Sequence, residues 1–87
     1  MNKILKFYAD WCGQCKQLSN ILNSLNIQCV EYDIDEDENE DVMEKYSIRN
    51  LPTLVVVDEE GNEIAKHVGI DTREHIKEFY ETNISES

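Results

Sequence analysis

The 87-residue chain contains one proline and three glycines, and no stretch rich in proline, glycine or serine could serve as a linker. We therefore predict a single domain over residues 1–87, a length that suffices for one hydrophobic core. Three cysteines are too few for a fold built on disulfides. Apolar packing must therefore hold this domain together, and hydrophobic residues make up 40% of the chain.

Long apolar segments are missing as well. The chain has no run of about eighteen apolar residues that could span a membrane. Residues 1–10 lack the long apolar stretch and small-residue cleavage site of a secretion signal. We therefore expect a soluble, cytoplasmic protein, in which a pair of cysteines would cycle between thiol and disulfide.

Basic residues are scarce, with 8 Lys and Arg against 19 Asp and Glu, which gives a formal net charge of -11. Such a surface repels nucleic acids and anionic membranes, so we expect neither as a partner and favour basic or mixed-charge proteins. Much of the charge lies in residues 33–41, which lack the glycine and spacing of an EF-hand loop. We predict a solvated loop and helix start there.

The most informative feature is the sequence WCGQC at residues 11–15, in which two thiols stand three positions apart. Such thiols can close into a disulfide and reopen. Cys12 is expected at the start of a helix, where free backbone N–H groups and the helix dipole favour a thiolate. We predict that Cys12 is the exposed nucleophile and that Cys15, facing the core, is the resolving thiol.

Two other uses of the cysteine pair are less favoured. A closed zinc site needs four ligands, and the remaining candidates Cys29, His67 and His75 fall in separate predicted elements. A purely structural disulfide would close a very short loop and would therefore constrain the unfolded chain little. We expect no bound metal and a redox role for the pair.

Apolar patterning predicts an α/β fold with the element order β-α-β-α-β-β-α. The predicted strands cover residues 4–8, 27–34, 54–57 and 64–68, and the helices cover 13–26, 39–46 and a segment beginning at 71 or 72. The first strand-helix-strand unit implies a parallel pair, and turn residues 58–62 join a hairpin. The sequence thus predicts a mixed four-stranded sheet flanked by three helices.

Single residues in these elements carry further expectations. We predict a capping box between Asp71 and Glu74 at the start of the last helix, and fraying after about residue 83. Cys29 is expected in the second strand as a small buried apolar residue. His67 and His75 are expected on the surface.

Together these features make the chain resemble the thioredoxin family. The resemblance rests on WCGQC after a buried strand, on KYSIRNLPT at residues 45–53 before a hairpin, and on Val68 followed by Gly69. It covers nearly the whole chain and implies a minimal thioredoxin fold. It also implies a thiol-disulfide oxidoreductase that reduces protein disulfides through Cys12 and Cys15.

The same resemblance implies the rest of the site and its partners. Pro52 should follow a cis peptide bond, and the backbone of Leu51 should pair with an extended substrate segment. The substrate-binding surface should comprise an exposed Trp11 with Gly13, Gln14, Leu51, Pro52 and Gly69. No cofactor besides the Cys12–Cys15 disulfide is expected. A monomer supplied with electrons by a thioredoxin-reductase-type partner is expected, since the sequence has no flavin or nicotinamide motif.

Two alternatives stay open at this point. The chain starts at the strand that leads into the cysteine motif, so its size approaches that of a glutathione-linked, glutaredoxin-like reductase. A non-catalytic interaction module with the same fold is the second alternative, although both cysteines are present.

The chain also departs from the family pattern at two positions inside the site. Gln14 replaces the usual proline, which gives the helix start an additional N–H donor. Lys6 stands where the family usually has a buried aspartate, and Glu31 aligns with its lysine partner. We predict that Lys6 and Glu31 form a reversed ion pair that modulates Cys15; alternatively, Lys6 extends out of the sheet into solvent.

Overall fold

Four strands and three helices form the fold in the computed structural model, which describes residues 2–85. The strands are β1 (Lys3–Tyr8), β2 (Val30–Asp33), β3 (Thr53–Val57) and β4 (Glu63–Val68). The helices are α1 (Gly13–Ser24), α2 (Glu40–Lys45), which follows a 3-10 turn at Asp37–Asn39, and α3 (Arg73–Tyr80). This order confirms the predicted β-α-β-α-β-β-α arrangement.

The sheet has the strand order β2-β1-β3-β4. β1 runs parallel to β2, while β1 with β3 and β3 with β4 are antiparallel. The ends of β1, β2 and β4 and the beginning of β3 therefore lie at one edge of the sheet. Open α/β sheets bind ligands at an edge of this kind.

The two central strands are buried on both faces, which explains their nearly continuous apolar sequences. One face packs on α1 and α3 and contains, among others, Ile4, Leu18, Leu22, Leu54, Val56 and Ile76. The other face packs on the α2 region and contains Leu5, Phe7, Tyr46, Val55 and Val57. Because side chains alternate along a strand, Lys6 lies on the same face as Ile4, toward α1.

α1 ends two residues earlier than predicted because the chain turns at Asn26, whose φ is +57°. The N–H of Asn26 donates to Asn23 O at 3.1 Å, and the N–H of Ile27 donates to Leu22 O at 2.9 Å. This is a Schellman motif, which asparagine tolerates better than most residues. Ile27 therefore belongs to the motif that ends the helix, and β2 begins at Val30 rather than at residue 27.

The predicted capping box at the start of α3 is wrong. Thr72 is the N-cap, and its hydroxyl accepts a hydrogen bond from the N–H of His75 at 3.2 Å. Asp71 precedes this N-cap, and Glu74 is the second helical residue, whereas a capping box needs the N-cap and the third helical residue, here His75.

The end of the chain also differs from expectation. Beyond α3 the backbone continues as a wide helical turn at Glu81–Ser85, so the expected fraying is not seen at residues 84 and 85. Residues 86 and 87 lie outside the described part of the chain.

Candidate active site

Three segments of the chain meet at the edge where β1 ends. The register pairs Phe7 of β1 with Thr53 of β3, and Thr53 with Val68 of β4. The WCGQC segment follows β1, the loop that contains Leu51 and Pro52 (the proline loop) precedes β3, and Gly69 follows β4. The predicted site residues in these segments therefore share one edge of the sheet.

Cys12 and Cys15 form a disulfide at the start of α1, with their Cα atoms 5.3 Å apart. Cys12 is the N-cap residue, with an extended backbone, and its N–H donates to Ala9 O at 3.1 Å. Gly13 is the first helical residue. The expected position of Cys12 at the helix start is confirmed.

The sulfur of Cys12 accepts a hydrogen bond from the backbone N–H of Cys15 at 3.1 Å. It thus takes the place of the side-chain oxygen in an ordinary helix cap. Cys12 is 8% exposed and Cys15 2%, because Ala9, Ile34 and Leu51 pack around the pair. The prediction of an exposed Cys12 is therefore wrong for the disulfide form, although Cys12 is the more accessible of the two.

The proline loop lies against the disulfide. The Leu51–Pro52 peptide bond is cis, as the resemblance implies. Leu51 packs on the cysteine pair, and Pro52 is buried. The carbonyl of Pro52 accepts a hydrogen bond from the N–H of Gly69 at 2.7 Å, where a φ of +89° favours glycine. This bond ties the end of β4 to the proline loop.

Trp11 is 69% exposed, as expected, and its indole is held from one side. Nε1 donates to a carboxylate oxygen of Asp35 at 2.9 Å, and the N–H of Asp35 donates to the side chain of Asp33 at 2.9 Å. Sequence analysis missed Asp35 because it lies in an acidic run that predicts a solvated loop. The predicted topology could have indicated this contact, because β1 and β2 are parallel and the residues that follow them lie at the same edge of the sheet.

Two further predicted site residues lie on the open side of the helix start. Gly13 and Gln14 are both exposed. A Cβ atom added to Gly13 would meet no atom within 4 Å, so space remains above this residue for a bound chain. Tyr8 and Ile34 also pack against the cysteine cluster, although sequence analysis did not assign them to the site.

Lys6 is buried, with 3% of its surface exposed, and it does not extend into solvent. It aligns with Glu31 of β2, and Nζ lies 3.4 Å from a carboxylate oxygen of Glu31. Nζ also donates to the hydroxyl of Ser19 on α1 and lies 5.3 Å from the ring centroid of Tyr8. The predicted reversed ion pair is therefore present, and the alternative of a solvent-exposed lysine is wrong.

The lysine also shares a cavity with the resolving cysteine. A cavity of about 160 Å³ is lined by Lys6, Tyr8, Ala9, Asp10, Cys15, Lys16, Ser19 and Glu31. It lies beneath the start of α1, between that helix and the β1–β2 part of the sheet. Lys6 and the resolving cysteine Cys15 therefore line the same small space.

Cys29, His67 and His75 lie in separate segments, outside the cysteine motif and the loop that contains Pro52. Cys29 precedes β2 and is half-buried, so the expected buried position within the strand is wrong. Burial chiefly raises the pKa of its thiol to about 11. His67 is half-buried: its ring lies 5.5 Å from that of Phe79, and its Nε2 is 3.7 Å from Asp71, so the expected surface position holds only in part. His75 is exposed, as predicted.

Neither a cluster of metal-binding side chains nor a membrane-spanning helix is found in the part of the chain that the structure describes. Among residues 2–85 no group of three or more His, Cys, Asp or Glu side chains is placed to hold a metal ion. None of the helices within that range combines the length and the apolar composition needed to span a bilayer.

Comparison with known proteins gives one consistent family. The sequence model of the thioredoxin family matches residues 1–82. A thioredoxin of Chlamydia pneumoniae is 34% identical over 76 residues, covering 84% of this chain and 74% of the relative. A thioredoxin of Staphylococcus epidermidis is 32% identical over 89 aligned positions, covering 94% and 82%.

Solved structures agree with the sequence matches. A mutant thioredoxin from Halobacterium salinarum has a TM-score of 0.79 at 29% identity, covering 94% of this chain and 74% of that one. The germline-specific thioredoxin Deadhead of Drosophila melanogaster has a TM-score of 0.81 at 26% identity, covering 95% and 81%.

Both cysteines and the proline loop lie within the matched residues, and the fold that joins them is shared with solved thioredoxins. The cysteines lie at disulfide distance. The chain therefore belongs to the thioredoxin family, and it is a thiol-disulfide oxidoreductase that reduces protein disulfides.

Proposed function

We propose that Cys12 attacks the disulfide of a partner protein and that Cys15 resolves the resulting intermediate. The Cys12 thiolate bonds to one substrate sulfur, and the other substrate sulfur leaves and takes a proton from water. The Cys15 thiolate then attacks the sulfur of Cys12. This forms the Cys12–Cys15 disulfide and releases the substrate sulfur to which Cys12 was bonded. Two electrons pass from the dithiol to the substrate.

The hydrogen bond at the sulfur of Cys12 carries this assignment. A sulfur that accepts a backbone N–H at the start of a helix is stabilised as a thiolate, and thiolates are the attacking species. The lower exposure of Cys15, at 2% against 8% for Cys12, supports the order of attack. An incoming protein reaches Cys12 first.

The docking surface in this proposal surrounds the disulfide on its open side. Trp11 supplies an exposed aromatic face, while Gly13 and Gln14 leave room above the helix start. The proline loop lies opposite, where the backbone of Leu51 would pair with an extended substrate segment. Pro52 and Gly69 would hold that loop in place through their hydrogen bond.

The proposed partners follow from the family and the charge. Electrons would come from a thioredoxin-reductase-type donor, and the Cys12–Cys15 disulfide would need no further cofactor. The net charge of -11 disfavours nucleic acids and anionic membranes as partners. We also propose that the protein acts in the cytoplasm as a monomer, with residues 1–87 forming one domain.

Reduction of insulin, followed as turbidity with dithiothreitol as electron source, tests the catalytic proposal. The parent and a Cys29→Ala control should accelerate precipitation equally, and the Cys12→Ser, Cys15→Ser double variant should not. A parent without activity would favour the interaction module. Coupling to NADPH through thioredoxin reductase or through glutathione and its reductase then compares the two donors, and faster turnover with glutathione would contradict the proposed donor.

Covalent trapping tests the roles of the two cysteines. A Cys15→Ser variant should accumulate a mixed disulfide with insulin through Cys12, because no thiol remains to resolve it. The Cys12→Ser variant should trap little under the same conditions. Preferential trapping by Cys12→Ser would reverse the assignment, and mass spectrometry of the adducts identifies the bonded cysteine.

A further inference from the structure

We infer that the ammonium group of Lys6 stabilises the thiolate of Cys15 during the resolving step, and that Glu31 limits this effect. The inference rests on the proposed order of attack, in which Cys15 must ionise while Cys12 is bonded to substrate. Its structural basis is the cavity of about 160 Å³ that Lys6, Glu31 and Cys15 line together.

Burial makes the need for such stabilisation clear. Cys15 is 2% exposed, so water can do little to solvate its thiolate. Burial alone opposes ionisation of a thiol, whereas a nearby opposite charge favours it. A cation in the same cavity therefore offsets the cost of ionising the resolving thiol where the protein needs it ionised.

The charge of Lys6 is only partly neutralised by its partners. Glu31 lies 3.4 Å from Nζ, but its side chain is 53% exposed, so solvent screens the carboxylate. Ser19 and the ring of Tyr8 are neutral groups that contact the ammonium without cancelling its charge. Lys6 itself is 3% exposed, so its field toward the cavity is weakly screened.

The other ionisable groups that line the cavity act less directly. Asp10 and Lys16 are exposed and of opposite sign, so their effects on the cavity are screened and offset each other. The pKa of the Tyr8 hydroxyl is raised, first by burial and then by Asp33 and neighbouring carboxylates, so Tyr8 stays neutral near neutral pH. Among the described lining residues, Lys6 alone is both charged and buried.

The proton and electron balance needs no additional group. The Cys15 thiol loses its proton to the solvent outside, because Lys6 as an ammonium cannot accept it. The resulting thiolate forms its bond to the sulfur of Cys12, and the substrate sulfur leaves with the electron pair of the broken bond. Lys6 contacts neither substrate nor the reacting sulfur atoms in this scheme and acts through its field.

Stopped-flow reaction of the reduced protein with dithiobis-nitrobenzoate tests the inference, because each step releases one coloured thiolate. The first phase reports attack by Cys12, and the second reports resolution by Cys15. All variants are made in a Cys29→Ala background, so that only two thiols react. The pH midpoint of the second phase measures the ionisation of Cys15.

Lys6→Met should raise this midpoint by about one unit, which slows the second phase roughly tenfold at neutral pH. Glu31→Gln should lower the midpoint, because it leaves the cation unopposed. Two matched controls remove the same charges elsewhere: Lys3→Met on the same strand and Glu60→Gln in the hairpin turn, both exposed. Neither control should move the midpoint.

Opposite shifts in the two test variants are the signature of the field, because loss of a structural contact would not reverse its sign. An unchanged midpoint in Lys6→Met, or shifts in the same direction, would overturn the inference. If Lys6→Met fails to fold, Glu31→Gln decides alone, and an unchanged or raised midpoint overturns it. A missing first phase in the parent would refute the role of Cys12, and this inference with it.

Discussion

At the scale of single residues, the proposed docking surface includes a contact between segments far apart in sequence. Asp35 accepts a hydrogen bond from the indole of Trp11 and is itself fixed by the turn at Asp33. A composition argument could only describe this aspartate as one acid among several. Lys6, by contrast, could be singled out from the sequence because a lysine inside a short apolar run breaks the local pattern.

Asp35→Ala should raise the KM for protein disulfides about two- to fivefold and leave kcat unchanged. The reason is that one hydrogen bond contributes about 0.5–1 kcal/mol net, and here it orients the docking surface rather than the sulfur atoms. The chain has one tryptophan, so its fluorescence should report the release of the indole directly. Asp37→Ala removes an equal charge nearby; an equal rise in KM there would assign the effect to charge alone.

At the scale of elements, the sequence predicts which segments are helices and strands better than where they end. The stripe of Cys15, Leu18 and Leu22 identifies α1 without ambiguity. Its end is set by the backbone turn at Asn26 and by the hydrogen bond of Ile27, and an apolar isoleucine is equally consistent with a new strand. Local propensity therefore could not choose between the two.

The start of α3 is likewise not determined by local sequence alone, and its position has a consequence for stability. Both Asp71 and Thr72 are suitable N-cap residues, and the helix uses Thr72. Asp71 bonds instead to Nδ1 of His75 at 2.8 Å and lies 3.7 Å from His67. The bond with Asp71 raises the pKa of His75, which Glu78 and other carboxylates raise further, and it lowers the pKa of Asp71.

The Asp71–His75 pair should therefore stabilise the fold most at mildly acidic pH. The contribution of His75 is present below its unfolded pKa of about 6.5 and is lost as pH rises through its higher folded value. The contribution of Asp71 is present above its unfolded pKa of about 3.9 and is lost as pH falls through its lower folded value. Both are present near pH 5.

Asp71→Asn should accordingly lower the free energy of unfolding more at pH 5 than at pH 8, as measured by urea denaturation. His75→Gln should produce the same pH dependence, because it removes the other half of the pair. A difference between parent and Asp71→Asn that stays constant from pH 5 to pH 8 would contradict this account.

At the scale of the whole molecule, most of the fold could be predicted because its two central strands are short apolar runs bounded by turn residues. The edge where the cysteines and the proline loop meet follows from that topology. What the sequence could not provide was the set of side chains that close the site from outside the motifs, notably Tyr8 and Ile34. Their apolar character fits a strand position equally well.

The charge of the molecule is distributed so that acidic groups also surround the site. Tyr8 packs against Cys12 and Cys15. Burial is the largest cause of its raised pKa, and a set of nearby carboxylates raises this pKa further: Asp33, Glu31, Asp10 and Glu36. Together with the net charge of -11, this makes the approach to the disulfide electrostatically negative.

A disulfide peptide with lysines beside its cysteines should therefore be reduced faster than the same peptide with glutamates, by about tenfold at low salt. The kcat/KM for the basic peptide should fall with ionic strength and that for the acidic peptide should rise, because salt screens both interactions. An uncharged peptide of equal length is the control. Equal kcat/KM values at low salt would show that charge does not select substrates.

The position of Cys29 bears on how many oxidation states the molecule can adopt. Three thiols allow three different intramolecular disulfides, but Cys29 precedes a strand that starts at the edge opposite to the one at which the cysteine pair lies. With a pKa of about 11, only roughly one in ten thousand of its thiols is ionised at neutral pH. Cys29 is therefore at the opposite edge from the cysteine pair, and its thiol is unreactive. The protein accordingly alternates between a reduced and an oxidised state that differ only in the Cys12–Cys15 bond.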